Sequence, residues 1–415
     1  MVKSMHYIEK LKFHEKLHGS ITTIDVIFLG LMVFFAGYYL SANGAGHHRV
    51  YYVFVLLPMF FLKWRELYRP LLESPLIKMS FVFIAYMVAT RLWAIGDSHK
   101  PIYKSFTYGA YIICFLTAIY LVVSDARNVM ENRIKLLLIA LGFVSAVISL
   151  YVYFDSVFIS ESRGSFYRLR NVLSGYDFNP SPSGRYFGFA ALLSLLYGFE
   201  RKEGLLKMVA LASFFVCMLA LFFTHGRGPM LGFGVAIALL ISLFDKKSAI
   251  YLLLLVTMVV AVYILVNPGF FSQLIERGSS HRIDIYNGVF SKVMEAPIFG
   301  RGLTASTYKL GNEFGNHCHS IYLAIALYGG LIGLTLWGLV LAFSYKLSWQ
   351  VYRTSGDVSF LVMITYGVVC YLFDGDGVID HPKGQWLLIW FPIACVAAKW
   401  NRLANKNDLQ VDIAT

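Results

Sequence analysis

The stretch AIYLLLLVTMVVAVYILV, from Ala249 to Val266, is 18 residues long and carries no charged side chain. A helix of that length spans about 27 Å, close to the hydrocarbon thickness of a bilayer. Backbone amides in hydrocarbon must be satisfied within their own segment, so such a run reads as a membrane-spanning helix. Eleven further apolar cores follow the same reading, at 24–42, 50–62, 76–95, 106–123, 136–155, 184–199, 208–224, 229–244, 320–343, 358–373 and 385–400. The core at 50–62 is short and needs Arg49 and Lys63 to reach outward from its flanks. The whole chain agrees, with 58% hydrophobic and 14% charged residues. Soluble domains carry about 25% charge, so a soluble globular enzyme is excluded, and so is disorder. The expected class is an all-α polytopic membrane protein with about 12 transmembrane helices in one integral membrane domain, 1–415.

The formal net charge is +12. In a membrane chain Lys and Arg first report topology. With the N-terminus inside, the inner segments hold 19 Lys and Arg and the outer segments 13, which places both termini in the cytoplasm. Met1 to Thr23 is too long and mixed for a cleaved signal, so the first apolar run is expected to stay as an anchor. Two outer segments are long, 156–183 and 267–319, whereas every inner loop is short. The distinctive work is therefore expected on the outer face. In the longer loop, Ile283, Ile285, Tyr286, Val289, Phe290 and Val293 recur at helical spacing and Pro297 closes the run. That helix either lies on the membrane surface or packs on the bundle. The cysteines give no disulfide framework; Cys114, Cys217, Cys370 and Cys395 sit in apolar runs.

Cation type differs between the faces. The inner loops contain seven Arg and twelve Lys; the outer loops, with Arg91 and Arg185 at span edges, contain ten Arg and five Lys. A planar guanidinium grips phosphate through two parallel hydrogen bonds, and Lys suffices for topology. The outer Arg excess therefore points to a phosphorylated partner or to lipid headgroups, rather than to nucleic acid. Arg227 stands in the brief link Thr224-His225-Gly226-Arg227-Gly228 between two spans, where an Arg is costly unless it meets a cavity or counter-ion. Arg282 lies near the start of the loop helix, and a helix N-terminus with a guanidinium makes an anion site. His319 precedes the tenth span, where an imidazole can act as a general base. His317-Cys318-His319 offers too few ligands for zinc, so no metal and no cofactor is expected. Asp374, Asp376 and Asp380 crowd the end of the eleventh span beside His381. They either orient an Arg or a His, or form a solvated turn.

Taken in order, these pieces resemble the O-antigen ligase family of the bacterial inner membrane. Arg282 followed by Pro297-Ile298-Phe299-Gly300-Arg301-Gly302 is similar to the family's Arg…Pro-x-x-Gly-x-Gly stretch. His319-Ser320, then nine residues, then Gly330-x-x-Gly333, resembles its His-(Asn/Ser)-x9-Gly-x-x-Gly signature. Thr224-x-x-Arg227 resembles its Arg at the end of the seventh span, and Asn179-Pro180-Ser181 is a weaker match. Ser320 replaces the commoner Asn, and Pro229 departs from the usual pattern. The resemblance implies a GT-C-type glycosyltransferase architecture and an inverting, metal-independent reaction. The donor would be a polysaccharide on undecaprenyl pyrophosphate, the acceptor a hydroxyl of lipid A–core oligosaccharide, and the site periplasmic. His319 would be the base, with Arg227 and Arg282 on the pyrophosphate. Arg91, Arg185, Arg301, His317, Asp374 and Asp376 are the further substrate-binding candidates. O-antigen polymerases and protein O-oligosaccharyltransferases share this pattern and donor class. A transporter is the reading from another class; it would favour charges in mid-span and internal symmetry, neither of which the sequence displays.

Overall fold

The twelve expected apolar cores all fall on helices in the computed structural model, which describes residues 22–95, 101–125, 130–159, 167–175, 179–200, 204–267, 282–304, 317–375 and 377–414. Among the described residues there is no strand. The helices are α1 (Thr23–Leu40), α2 (Gly44–Tyr51, continued by a π-helical turn, Tyr52–Leu56), α3 (Trp64–Glu73), α4 (Pro75–Ala89), α5 (Ile102–Ser124), α6 (Met130–Phe154) and α7 (Pro180–Glu200). Then come α8 (Leu205–Phe223), α9 (Arg227–Leu243), α10 (Lys246–Val266), α11 (Arg282–Glu295), α12 (Ile321–Ser355), α13 (Ser359–Cys370) and α14 (Phe391–Ala414). Among the described residues eight helices are long and apolar enough to cross a membrane by length and composition alone, and α9 and α13 are shorter apolar helices. The chain is an all-α, multi-pass membrane protein.

Burial sorts the helices. α7 is buried along nearly its whole length, from Pro182 to Gly198. It packs on α8, where Gly184 faces the Thr224 hydroxyl too closely for a side chain to intervene. α10, which contains the 18-residue apolar stretch, buries only Leu252, Val259 and Tyr263. An apolar helix that exposes most of its surface is stable only with lipid around it. The loop helix α11 does pack on the bundle. It buries Ile285 and Val289 and contacts α12, while Ile283, Phe290 and Met294 stay exposed.

The Pro-x-x-Gly-x-Gly and Gly-x-x-Gly stretches bind each other. The Arg301 and Gly302 amides donate to the carbonyls of Leu327 and Tyr328 at 2.8 and 3.0 Å. In return the Leu331 and Ile332 amides donate to Pro297 and Ile298 at 2.8 and 3.2 Å. This contact breaks α12 at Gly330, whose φ is +61°. A Cβ on Gly300 would stand 2.4 Å from the Tyr328 carbonyl, and one on Gly330 would stand 2.4 Å from the Ile298 oxygen. Both glycines are therefore required by close backbone approach and by positive φ. This stitching holds the start of α12 against the loop that precedes it.

Candidate active site

Six helix ends meet at one end of the bundle: the starts of α7, α9, α11 and α12 and the ends of α8 and α13. Between them lies a cavity of about 210 Å³. Arg168, Arg227 and Arg282 line it, with the histidines His225 and His319. Asn179, Ser181, Phe373, Asp374 and the Gly226–Pro229 turn complete the lining. Helix N-termini carry partial positive charge, and here they add to three guanidiniums. The wall is built for an anion.

Local sequence explains how each group is held. Thr224 ends α8 and its Oγ1 accepts the Gly226 amide at 3.2 Å, which tightens the turn and starts α9 at Arg227. Pro229 falls within the first turn of α9, where its missing N–H costs nothing. Ser320 is the N-cap of α12; its Oγ accepts the Leu323 amide at 3.4 Å. Asn and Ser cap helices about equally well, so the replacement of the commoner Asn keeps the function of that position.

His319 is fixed from three sides. Its backbone is left-handed, with φ +48°. Its amide donates to His317 Nδ1 at 3.1 Å, and its carbonyl accepts from Tyr286 of α11 at 3.3 Å. Two residues on, the Ile321 amide donates to the carbonyls of Tyr371 and Asp374 at 3.1 and 3.2 Å. His317 thus positions His319 and does not line the cavity itself. Arg185 stands behind Asp374: its guanidinium meets Asp374 Oδ2 at 2.9 Å and lies over the Tyr371 ring, 4.9 Å from the centroid. Burial pushes the Asp374 carboxyl up. Arg185, the Gly375 amide and the Ser181 hydroxyl outweigh it and hold the group below the usual carboxylate range. It is an anion at neutral pH.

Arg227, Arg282, His319 and Asp374 therefore meet in one cavity, with Arg185 and His317 directly behind. Arg91 and Arg301 do not line it. Arg301 is buried and paired with Glu295 of α11, and its carbonyl accepts the Ile95 amide at 2.8 Å, close to the 3-10 turn that contains Arg91. Asp376 lies outside the described residues. Sequence reasoning assigned no role to Arg168 or His225. Arg168 stands in an Arg-dense outer segment with Arg163 and Arg170, but nothing in the spacing singles it out. Its Nε donates to the Thr224 carbonyl at 2.8 Å, tying that segment to the turn before Arg227.

Residues 212–338, which contain Arg227, Arg282 and His319, match the family model described as O-antigen ligase. Over this region the chain resembles the O-antigen ligase family. It is 25% identical over 391 residues to an O-antigen ligase of Pseudomonas aeruginosa, a match covering 90% of each chain. Both likenesses point broadly to an enzyme of the glycosyl-transferring kind. The matched region contains most of α8, all of α9, α10 and the loop helix α11, and the first half of α12. The remaining cavity residues, Arg168, Asn179, Ser181, Phe373 and Asp374, come from outside it. The cavity is thus completed by segments far apart in the chain.

Proposed function

We propose that the protein transfers a polysaccharide from undecaprenyl pyrophosphate to a sugar hydroxyl of lipid A–core oligosaccharide, at the periplasmic face of the bacterial inner membrane. The observation that carries this reading is the joint presence of three guanidiniums and His319 on one cavity among helix N-termini. The donor pyrophosphate sits against Arg227 and Arg282, with Arg168 beside them. The acceptor oxygen attacks the anomeric carbon as the bond to the phosphate oxygen breaks. The electron pair leaves on the pyrophosphate, where the guanidiniums stabilise it. The hydroxyl proton passes to the His319 imidazole. Direct displacement inverts the anomeric centre, and the pyrophosphate linkage supplies the driving force, so the reaction requires no metal and no ATP. Asp374 is held ionised by Arg185 and sets the start of α12, and hence the place of His319. Arg91 and Arg301 support the loop that is stitched to α12.

The test is reconstitution of the purified protein in liposomes with lipid-linked donor and lipid A–core as sole acceptor. Product on the core is expected, and His319→Ala is expected to lower its rate by about 10²–10⁴-fold with the fold intact. Full activity of that variant would end the general-base assignment. Elongation of carrier-linked sugar with the core left bare would show a polymerase instead.

A further inference from the structure

Arg227 and Arg282 stand at the starts of helices, where regular backbone fixes the root of the side chain. Arg168 lines the same cavity but belongs to 167–175, which is neither helix nor strand. A side chain on irregular backbone is aimed less exactly unless its segment is held by other bonds, and buried amides and carbonyls there need partners. The near end of the segment is bonded to the end of α8. The Leu169 amide donates to the Phe223 carbonyl at 2.9 Å, and Arg168 Nε donates to the Thr224 carbonyl at 2.8 Å. At the far end the Gly175 amide donates to the Ser41 carbonyl at 3.0 Å. Between them Asn171 is 1% exposed. Its backbone amide donates to Ser183 Oγ of α7 at 2.9 Å. Its Nδ2 donates to the Tyr39 carbonyl of α1 at 3.1 Å. Its Oδ1 accepts from the Leu173 amide at 3.1 Å and from the Ser145 hydroxyl of α6 at 2.6 Å. The two backbone partners leave the carboxamide one orientation, since a carbonyl can only accept and an amide N–H can only donate.

We propose that Asn171 is a positioning residue for the donor: its carboxamide pins 167–175 against α1 and α6, so that the Arg168 guanidinium is presented to the cavity. This rests on the pyrophosphate reading of the cavity. Asn171 does not line the cavity, so it acts through Arg168. The bond from the Leu173 amide to Oδ1 closes a local turn two residues wide. The Tyr39 and Ser145 bonds fasten that turn to two helices. Arg168 lies three residues before the turn, and its near side is fastened to the end of α8. The guanidinium is thereby held between two fixed points. The side chain must donate to one partner, accept from two, and be short enough to bend back on its own segment. Asn meets all three demands. Asp would turn a buried anion on the Tyr39 carbonyl, and Ser has one oxygen where two atoms are used. Ser183 carries the link further, because its Oγ donates at 3.1 Å to the carbonyl of Asn179, which lines the cavity. That link uses the Asn171 backbone and survives a change of its side chain.

The experiment measures transfer by the full-length protein in liposomes from an undecaprenyl-pyrophosphate-linked oligosaccharide to lipid A–core, varying each substrate in turn. Loss of packing alone lowers the amount of folded enzyme, and so the maximal rate, but leaves KM in place. Arg168→Gln is expected to raise the donor KM about tenfold. Asn171→Ala should raise it about fivefold with the acceptor KM unchanged, and should add nothing in the Arg168→Gln background, because both changes act on one contact. Ser145→Ala removes one of the three carboxamide bonds and should shift the donor KM the same way by about twofold. It decides the question if Asn171→Ala does not fold. Ser194→Ala breaks a buried hydroxyl pair with Ser213, 2.9 Å long, that does not line the cavity; it should lower the unfolding temperature and leave both KM values alone. Three results would overturn the proposal while the pyrophosphate site stands. One is an unchanged donor KM in Asn171→Ala, or in Ser145→Ala where the first does not fold. Another is an acceptor KM raised as much as the donor KM. The third is full multiplication of the Asn171 and Arg168 effects in the double variant. An unchanged donor KM in Arg168→Gln would overturn it together with the place of Arg168 beside the donor. No transfer by the unaltered protein would overturn the pyrophosphate reading and the proposal with it.

Discussion

The two ends of the helix bundle handle buried charge in opposite ways. At the end away from the cavity, Glu131 of α6 receives Lys135 at 2.9 Å, Lys399 at 3.3 Å and Arg402 at 3.9 Å, and Lys399 also reaches Asp357 at 3.7 Å. Two carboxylates and three cations are drawn into one knot among α6, α14 and the turn between α12 and α13. At the cavity end, three guanidiniums line a shared space, and among its described lining residues the one carboxylate, Asp374, pairs with Arg185. Charge that is matched within the protein braces helices. Charge gathered around a cavity is placed where a ligand can meet it. The lesson is that an Arg or Lys at a span edge is informative only with its partners in view.

The largest effect expected from breaking this contrast is on stability. Glu131→Gln removes the ion pair of Lys135 and leaves Lys399 with Asp357 alone, and removing one partner of a buried pair costs about 3–5 kcal/mol. Thermal unfolding should show the loss, and transfer per folded molecule should stay the same. Asp374→Asn, at the other end, should also destabilise, but it should lower kcat as well, because it loosens the turn that sets His319. Both ends should weaken in acid. Asp374 and Asp357 are both held below the usual carboxylate range: burial raises each, and Arg185 for the first, Lys135 and the Ser359 hydroxyl for the second, more than offset it. A depressed carboxylate contributes stability above its ordinary pKa and loses it as pH falls through the folded value. Unfolding temperature should therefore fall on acidification, and less steeply in Asp374→Asn.

Next in size is a test of geometry at the cavity. Arg227→Lys or Arg282→Lys preserves charge but loses the planar fork, and should lower kcat/KM for donor by about 10–100-fold with little change in unfolding temperature. Unchanged kinetics would mean that only charge is needed there. The smallest effect belongs to Arg301, a cation of the cavity end that behaves like the far knot because Glu295 holds it. Glu295 is half exposed, so Arg301→Gln should cost about 1 kcal/mol of stability and leave donor KM unchanged. A raised donor KM would put Arg301 back among the binding residues.

Much of this was legible in one dimension. Apolar runs of span length report helices directly, because a membrane helix satisfies its backbone within a continuous segment. Arg227, Arg282 and His319 stand beside glycines, a proline and helix caps that mark them out locally. Arg168 and His225 carried no such mark. One sits in an irregular segment, and the other is notable only for a backbone angle and for its neighbours. Arg301 is in a motif as legible as that of Arg227, yet its motif is a backbone lock between the Pro297–Gly302 stretch and α12.

The sequence alone determined that the chain is helical and membrane-embedded, and which short segments bear reactive or cationic groups, since hydropathy and capping are properties of contiguous residues. Only the tertiary structure decided which cations share a cavity and which are neutralised. That outcome depends on carboxylates such as Asp374 and Glu295, which the fold brings beside Arg185 and Arg301, and electrostatic partnership follows distance in space, which sequence separation does not report.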